Sequence, residues 1–418
     1  MHGIRGIMND LDQPSDCAPI GHRAGETGAW RPRRTRRPLR RWRAIVALGI
    51  GFTLGPSLAS CSSTSSTPAP HAAPKFWTIT LDTATYKPHA APGTTDDYHC
   101  TLLDPHVTRD RYLISSTFHP GSSEDHHVVL YLVPPSLAAE ARRADSSGKG
   151  WTCFGLSSLP NLPLAQSLRT PMLSVWTPGH GSDLLPKDTG IELPAGSLVI
   201  LQVHFNTLVG DKAVKNSLLL NTVPTSTPLL PLQVITPLAP PEIPCPSGVI
   251  GNLCDRAASI ANLGRRFGPS APAFVNTIEQ ACGHDPANPP TGDNSTCIWP
   301  QPISQNGYIV RVQAHMHLLG QSFSMILDPG TPQARTVLSV KNYNFDYQKA
   351  YNLATPIPVK PGDRLKVTCS YDPQLAQELP LLRKVPPHFV TWGDGSSDEM
   401  CVGLAWMSAT LPNTHDAL

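Results

Sequence analysis

Short apolar runs separated by turn residues dominate the chain from Lys75 to about Asn413. Most of the 45 prolines and 31 glycines fall here, between runs rich in β-branched and aromatic residues. Short strands at this spacing, with few helical periods between them, are typical of antiparallel β-sandwiches. The predicted strands are Phe76–Leu81, Arg111–Phe118, Val128–Val133, Leu198–Phe205, Gly307–Ala314, Arg364–Ser370 and Cys401–Met407. The length suffices for two such domains, which we predict at residues 75–210 and 211–418.

One stretch in the second predicted domain has helical rather than strand periodicity. Apolar residues in Asp255–Arg265 and Ala273–Ala281 recur at helical spacing. Cys254 and Cys282 bound this stretch. We therefore predict an all-β fold that carries a small helical insert at about residues 245–297.

The first 60 residues have the pattern of an export signal. Residues 1–43 contain ten arginines, no lysine and four acidic residues, a surplus of six positive charges, whereas the whole chain carries +2. The basic character therefore belongs to the leader. It does not indicate a nucleic-acid partner, which needs a basic face on a folded domain. The uncharged, apolar segment Ala44–Ser60 follows the basic region, as in a signal peptide.

The end of this segment, Leu-Ala-Ser followed by Cys61, resembles the cleavage box of bacterial lipoproteins. We predict that Cys61 is acylated, that residues 61–74 form a disordered tether, and that the protein is anchored in the cell envelope by its lipid. An uncleaved membrane anchor is the alternative. Ala44–Ser60 is short for a membrane span, and Pro56 weakens that alternative further. Without acylation, the same signal would leave the protein periplasmic or secreted.

Eight cysteines lie in the predicted mature domains, besides Cys17 in the leader and Cys61. An even set in an exported chain indicates disulfide bonds. None of the eight has C-x-x-C spacing, which disfavours a structural zinc site or a redox dithiol. They are Cys100, Cys153, Cys245, Cys254, Cys282, Cys297, Cys369 and Cys401.

Five of the sixteen histidines form candidate metal ligands. His315 and His317 are two residues apart, so on a strand they point to one face and form half of a metal site. Adjacent His126 and His127 would point to opposite faces of a regular strand. Both can bind one metal only if the strand is bulged or ends there. His204 lies on a strand that alternates well between apolar and polar residues.

Each candidate also has an ordinary structural interpretation. A His-x-His pair is usually two polar residues on an exposed strand face, and adjacent histidines are more often a turn feature. A histidine such as His204 is often satisfied near a core edge. Met400 follows an Asp-Glu pair and precedes an apolar run, where a methionine normally fills the core.

These residues nevertheless resemble a known family. The chain from about Asp96 to Met407 is similar to the copper type II, ascorbate-dependent monooxygenases, which include dopamine β-hydroxylase and peptidylglycine α-hydroxylating monooxygenase. Seven motifs in the family order make this resemblance specific. They are Asp96-Asp97-Tyr98-His99-Cys100, His126-His127, Trp176 with Pro186 and Gly190, Gln202-Val203-His204, His315-Met316-His317-Leu318-Leu319-Gly320, Pro361-Gly362-Asp363 through Cys369, and Asp398-Glu399-Met400-Cys401.

The resemblance implies two copper sites per chain, in two jelly-roll-like sandwiches. His126, His127 and His204 match the three-histidine copper site that relays an electron. His315, His317 and Met400 match the catalytic copper site, where oxygen and substrate bind. Imidazoles suit copper in either redox state, and a thioether favours Cu(I). Ascorbate or a similar one-electron donor is the implied reductant. Asp398 and Glu399 would then support the ligands without acid–base roles.

The resemblance also implies two disulfide bonds. Cys369–Cys401 would brace the strand that follows Met400, and Cys100–Cys153 would lie in the first domain. The remaining four cysteines allow three pairings. Among these, the nested pairs Cys245–Cys297 and Cys254–Cys282 would close the helical insert.

The chain departs from the peptide-amidating members at three positions around the catalytic copper. Gln313 stands where those enzymes have an arginine, and Val402 and Leu404 replace an asparagine and a tyrosine. Because these residues offer no obvious clamp for an anion, a glycine-extended peptide is a poor candidate substrate. The stretch Asn342–Gln348 lies nearer the dopamine-hydroxylase branch in pattern, which does not establish an amine substrate.

The sequence supports two functions. The first is an exported copper-dependent monooxygenase that uses O₂ and a one-electron donor to hydroxylate a C–H bond of a small organic substrate. The alternative is a non-catalytic copper-binding or copper-storage lipoprotein on the same scaffold. Oxygen consumption coupled to oxidation of the donor distinguishes them. A metal-free binding sandwich is disfavoured because all six ligands are present.

Overall fold

Antiparallel sheets form most of the described chain in the computed structural model. The structure describes residues 76–412, except 92–93, 157–158, 161, 168–169, 180, 208–209 and 211. The predicted signal peptide, Cys61 and the tether lie outside the described residues. The region His71–Leu418 forms one compact unit. The all-β prediction is confirmed.

The N-terminal sandwich contains eleven of the described strands in two sheets. The strands are β1 (Trp77–Asp82), β2 (Asp96–Leu103), β3 (Arg111–His119), β4 (Asp125–Val133), β5 (Trp151–Thr152), β6 (Met172–Trp176), β7 (Asp183–Leu184), β8 (Thr189–Leu193), β9 (Leu198–Asn206), β10 (Ser217–Pro224) and β11 (Leu230–Pro231). One sheet has the order β1-β10-β3-β8-β11, with β7 beside β3, and the other has the order β5-β2-β9-β4-β6. Two short helices, α1 (Ala138–Ala144) and α2 (Leu164–Ser167), lie between β4 and β6.

Strand β9 shows how the sequence pattern produces the core of this sandwich. Its apolar residues Val199, Leu201, Val203 and Phe205 alternate with Gln202 and His204, and every position except the last is buried. The strand lies at the centre of its sheet, between β2 and β4. Because Gln202 and His204 are buried as well, the face that carries His204 is also covered, and it becomes one wall of the candidate site described below.

The C-terminal sandwich contains the remaining strands. They are β12 (Gln233–Ile235), β13 (Glu242–Ile243), β14 (Asn294–Ile298), β15 (Gly307–His315), β16 (Gly320–Leu327), β17 (Arg335–Val340), β18 (Tyr351–Val359), β19 (Leu365–Tyr371), β20 (Val390–Thr391) and β21 (Val402–Ser408). The two larger sheets have the orders β12-β21-β15-β18 and β14-β19-β16-β17, and β13 pairs with β20. The predicted domain boundary at residue 210 stays a prediction, and β10, which follows it, pairs with β1 and β3.

The predicted helical insert is present as two helices, α3 (Arg256–Phe267) and α4 (Ser270–Ala281). Helix α3 begins after Asp255, whose carboxylate accepts a hydrogen bond from the Ala258 N–H at 2.8 Å. This contact satisfies one of the free N–H groups at the helix start. A short helix, α5 (Leu375–Glu378), follows β19. In the part of the chain that the structure describes, none of the helices combines the length and hydrophobicity that a bilayer span requires.

Four disulfide bonds connect the eight cysteines of the mature region. Cys100–Cys153 and Cys369–Cys401 form as predicted. The nested pairing of the other four was wrong, because the structure contains Cys245–Cys254 and Cys282–Cys297. Cys254 precedes α3 and joins the nearby segment after β13, whereas Cys282 ends α4 and joins β14. Each end of the insert is therefore tied to its own flanking strand.

Candidate metal centre

A bulge in β4 brings both adjacent histidines to one site. His127 pairs with His204 on β9, whereas Asp125 pairs with Phe205, so His126 is an extra residue in β4. An extra residue in one strand bends it locally and re-aims its side chains. The ring centroids of His126 and His127 consequently lie 4.9 and 4.6 Å from that of His204. We call His126, His127 and His204 the three-histidine group.

The three-histidine group has the geometry and the unsatisfied atoms of a metal site. Candidate ligand atoms of its three side chains lie within 4.8 Å of one another. One buried nitrogen of each ring has no hydrogen-bond partner in the described part of the chain, namely Nδ1 of His126, Nε2 of His127 and Nδ1 of His204. Buried polar atoms are normally paired, so three converging unpaired nitrogens require an explanation. A metal ion that prefers imidazole, such as copper, would satisfy all three.

Asp96 on β2 fixes the orientation of His204. Its carboxylate lies 2.6 Å from His204 Nε2 and accepts a hydrogen bond from Ser396 Oγ at 2.9 Å. The ring of Tyr98 stacks on the ring of His204, with centroids 4.3 Å apart. Burial alone would raise the pKa of Asp96, but the charge and hydrogen bonds of His204 and Ser396 outweigh it and lower the pKa. A carboxylate on the second nitrogen of an imidazole sets its tautomer and strengthens it as a ligand.

His315 and His317, which we call the His-x-His group, lie at the end of β15. Their ring centroids are 5.1 Å apart. His315 Nδ1 contacts the side-chain oxygen of Gln348, and His317 Nδ1 lies 3.1 Å from the backbone oxygen of Asp398. His317 Nε2 is buried and has no hydrogen-bond partner among the residues that the structure describes. Both Nδ1 atoms are thus engaged, which leaves the Nε2 atoms as the candidate ligand atoms.

Glu399 connects this group to Met400. Its buried carboxylate accepts hydrogen bonds from the N–H groups of His317 at 2.8 Å, Leu319 at 2.7 Å and Met400 at 3.2 Å. Burial raises the pKa of Glu399 to about 8, although these three hydrogen bonds oppose the shift. Met400 is half-buried, and the next residue, Cys401, is bonded to Cys369. Met400 therefore lies in a segment fixed beside His317, and its role as a ligand stays a prediction.

The two histidine groups form one continuous cluster. The ring centroids of His127 and His315 are 6.0 Å apart. The buried side chain of Phe345 packs among the rings, stacked on His126 at 5.0 Å and edge-on to His317 at 5.9 Å. Residues from both sandwiches thus line a shared, largely buried site.

The electrostatics favour neutral imidazoles at His126, His127, His315 and His317. Burial and repulsion from His204 lower the pKa of His126 to about 3, and burial lowers the pKa of His315 to about 4. Burial and neighbouring imidazoles hold the pKa values of His127 and His317 well below the usual range. A neutral imidazole has a lone pair available for a metal, whereas an imidazolium does not.

Several supporting residues lie outside the motifs that carry the candidate ligands. Gln348 and Phe345 lie in the segment before β18, and Ser396 lies between β20 and β21. Arg266 on α3 donates to both carboxylate oxygens of Asp398, at 2.9 and 2.6 Å. The helical insert therefore braces the loop that carries Met400. The only sequence signal for this contact was an arginine near the end of an amphipathic helix.

Comparison with known proteins identifies the C-terminal region. Residues 291–407 match the family model of the copper type II ascorbate-dependent monooxygenase, C-terminal domain. The mouse (Mus musculus) DBH-like monooxygenase protein 2 is 29% identical over 96 residues, which are 23% of this chain and 14% of that protein. Both matches support the resemblance to the copper type II, ascorbate-dependent monooxygenase family, and that resemblance, recognised from the sequence motifs, is confirmed for the C-terminal region.

Two solved structures show remote likenesses to this chain. The major capsid protein P2 of bacteriophage PM2 aligns with a TM-score of 0.30 and 7% identity, covering 81% of this chain and 99% of the capsid protein. A fucolectin from striped bass (Morone saxatilis) aligns with a TM-score of 0.17 and 8% identity, covering 81% of this chain and 97% of the lectin. Scores this low carry no argument about fold or function.

Proposed function

Starting from that family, we propose that this chain is an exported, copper-dependent monooxygenase that hydroxylates a C–H bond of a small organic substrate. The observation that carries the proposal is the buried histidine cluster, in which three unpartnered ring nitrogens converge beside the His-x-His group. The family supports copper and ascorbate in general terms. Two coppers per chain, one in each histidine group, are part of the proposal.

The protein contributes ligand geometry and burial. Bound copper would supply the one-electron redox chemistry, in which one atom of O₂ enters the C–H bond and the other leaves as water, with two protons and two electrons drawn from the donor. His126, His127 and His204 would hold one ion, and His315, His317 and Met400 would hold the other. Asp96 and Gln348 orient one imidazole in each group, while Phe345 limits the space for water among the rings.

Location in the cell envelope is a further part of the proposal. The apolar segment Ala44–Ser60 and the cleavage box ending at Cys61 support export and lipid anchoring. Four disulfide bonds agree with an oxidising compartment. In cells, Cys61→Ala is expected to abolish acylation and move the protein from the membrane to the soluble fraction.

Oxygen uptake tests the enzymatic proposal. The copper-loaded protein with ascorbate and a panel of small organic compounds should consume O₂ in step with a hydroxylated product. His317→Ala should abolish product formation, whereas His119→Ala, at the exposed end of β3, should leave it unchanged. Tight copper binding with no oxygen uptake coupled to product, across the panel, would instead support the copper-storage alternative.

A further inference from the structure

The loop between β20 and β21 is buried, although loops normally lie at the surface. Residues 392–399 are all buried, and Asp394, Ser396, Asp398 and Glu399 are among them. Polar groups away from water need partners within the protein. The partners of this loop come from both sandwiches and include side chains that orient the candidate ligands. We call residues 392–400 the bridging loop.

Internal contacts give the bridging loop a defined shape. The Asp398 N–H donates to the Gly395 oxygen at 2.8 Å, and the Gly395 N–H donates to the Asp398 carboxylate at 3.1 Å. A Cβ at Gly393 would lie 2.5 Å from that carboxylate, so the turn closes around Asp398 only because glycine stands there. Close-packed interiors transmit displacements rather than absorb them. A shift at one end of the loop is therefore felt at the other.

One side of the bridging loop contacts the N-terminal sandwich at the three-histidine group. Ser396 Oγ donates to the Asp96 carboxylate at 2.9 Å and lies 3.4 Å from His204 Nε2. The Asp394 carboxylate accepts a hydrogen bond from the Gln202 side chain at 3.3 Å. Gln202 and His204 are two residues apart on β9, so they point to the same face. The loop therefore contacts both this face and the carboxylate that orients the His204 ring.

The other side of the bridging loop contacts the His-x-His group and ends at Met400. The backbone oxygen of Asp398 lies 3.1 Å from His317 Nδ1, and the Glu399 carboxylate accepts a hydrogen bond from the His317 N–H at 2.8 Å. Ser396 and Asp398 are two residues apart, which is at most about 7 Å of chain. One short, buried segment thus supports a candidate ligand in each histidine group.

We propose that the bridging loop couples the two candidate copper sites, and that Ser396 is the positioning residue through which it does so. This proposal rests on the copper sites of the proposed function. Copper in the three-histidine group would fix His204, Asp96 and Ser396 relative to one another. The loop that holds His317 and Met400 would then already be ordered when the second ion binds. Ordering that one ion causes and both ions use gives positive coupling between their sites.

The coupling matters for the proposed reaction, which uses two electrons. A chain with one copper ion holds only one of the two redox centres, and coupling makes such chains rarer relative to empty and filled ones. Coupling between sites in proteins typically changes affinity by about 5- to 150-fold. Repulsion between the two ions opposes the effect, but it is the same with and without the Ser396 hydroxyl. Variants at this position therefore isolate the contribution of the loop.

A single-site variant tests whether Ser396 positions His204. In His317→Ala, Cu(I) binding to the three-histidine group is measured by competition with a chromophoric Cu(I) chelator. Adding Ser396→Ala should weaken this binding by at least about tenfold, as the loss of such supporting contacts does. It should also change the electron paramagnetic resonance spectrum of Cu(II) bound there, which a general loss of stability does not.

Ser397→Ala is the matched control. Ser397 is a buried serine in the same loop, and its backbone oxygen, rather than its hydroxyl, contacts His388 at 2.9 Å. In the His317→Ala protein, this substitution should change neither the Cu(I) affinity nor the spectrum. Equal effects of Ser396→Ala and Ser397→Ala, or no effect of Ser396→Ala, would overturn the positioning role.

A double-mutant comparison measures the coupling. In His204→Ala, copper binds at the His-x-His group and no ion acts on Ser396, so Ser396→Ala should leave the Cu(I) affinity unchanged. In the wild-type background, Ser396→Ala should lower the product of the two binding constants by at least about fiftyfold. About tenfold comes from the three-histidine group and about fivefold from the lost coupling.

Two results would overturn the coupling. In the first, the loss in the wild-type background equals the product of the losses in the two single-site variants. In the second, Ser396→Ala weakens copper at the His-x-His group equally with and without His204. These titrations need no turnover, so the full pattern would support the coupling even where no compound is hydroxylated. A wild-type protein that binds no copper would overturn both the coupling and the proposed function.

Discussion

At the residue scale, the site depends on side chains that orient the candidate ligands. Asp96 engages one nitrogen of His204, Gln348 engages one nitrogen of His315, and Glu399 holds the backbone of His317. The contacts of Asp96 and Gln348 leave the other nitrogen of each imidazole free to face the cluster. The contact of Glu399 fixes the backbone at the end of β15. Such supporting contacts typically change metal affinity by about 10- to 100-fold when they are removed.

Met400 is where the ligand interpretation and the core-packing interpretation differ most. Met400→Leu keeps the volume and hydrophobicity of the side chain, and such exchanges usually cost less than about 1.5 kcal/mol of unfolding free energy. If the thioether is a ligand, the variant should fold normally, bind Cu(I) more weakly at the His-x-His group and lose hydroxylation. Urea unfolding, Cu(I) titration and product analysis measure the three effects.

Met407→Leu is the matched control, because Met407 lies in the same region on β21 and is buried. It should retain both Cu(I) affinity and hydroxylation. A Met400→Leu protein that hydroxylates at the wild-type rate would exclude the ligand role. If Met400→Leu lost stability, Met400→His would separate the effects, since retained metal with lost turnover would tie the thioether to oxygen chemistry.

At the element scale, the strand pattern was predictable because burial in a sandwich enforces a period of two. The predicted Phe76–Leu81 and Arg364–Ser370 each differ by one residue at both ends from β1 and β19. The four cysteines of the insert were not predictable, because their pairing depends on how α3 and α4 meet β13 and β14. Phe345 and Gln348 belong to the Asn342–Gln348 stretch noted in the sequence, but their contacts with the histidines were not predictable, because loop residues show no periodicity that places them at a site.

The disulfide Cys369–Cys401 joins β19 to the residue that follows Met400. Replacing both cysteines with alanine should reduce the free energy of unfolding by about 3–4 kcal/mol, as expected for a loop of 32 residues. It should also weaken copper at the His-x-His group, because the Met400 segment loses its covalent brace. Urea unfolding and copper titration measure both.

Removing Cys245–Cys254 provides the comparison. That bond closes only 9 residues and lies at the start of the helical insert, so its loss should destabilise the protein less and leave copper affinity unchanged. Equal losses of copper affinity in the two double variants would mean that Cys369–Cys401 acts only through global stability.

Glu279 on helix α4 and Glu242 on β13 form a pH-sensitive carboxyl pair. Burial and the neighbouring carboxylate of Glu242 raise the pKa of Glu279 to about 9. Arg256 donates to both oxygens of Glu242, at 2.5 and 2.6 Å, and His284 Nδ1 lies 2.6 Å from Glu279. The folded protein therefore binds a proton on Glu279 more tightly than the unfolded chain does.

Stability linked to Glu279 should be fully present at pH values below its unfolded pKa of about 4.3 and should be lost as the pH rises through about 9. Glu279→Gln keeps the shape and removes the titration. Its unfolding free energy should therefore fall less than that of the wild type between pH 6 and pH 9.5. Parallel pH profiles for the two proteins would contradict the raised pKa.

At the scale of the whole molecule, two sandwiches contribute to one buried cluster. β4 and β9 carry the three-histidine group, β15 carries the His-x-His group, and α3 braces the loop before β21. The motifs revealed the ligand candidates from the sequence because each motif is local. The 6.0 Å approach of His127 to His315 was not predictable, because it depends on the packing of elements nearly 190 residues apart in sequence.

This arrangement makes metal stoichiometry the decisive property of the molecule. If each histidine group binds its own ion, the wild-type protein should bind two coppers per chain, and His204→Ala and His317→Ala should each bind one. The double variant should bind none tightly, and His119→Ala, outside the cluster, should still bind two. Elemental analysis after dialysis against a weak chelator measures these values.

Because His127 and His315 are so close, a single ion shared by both groups is the competing arrangement. It would give one copper in the wild type and would be weakened by either substitution. Two tightly held coppers in His204→Ala would remove that residue from the ligand set.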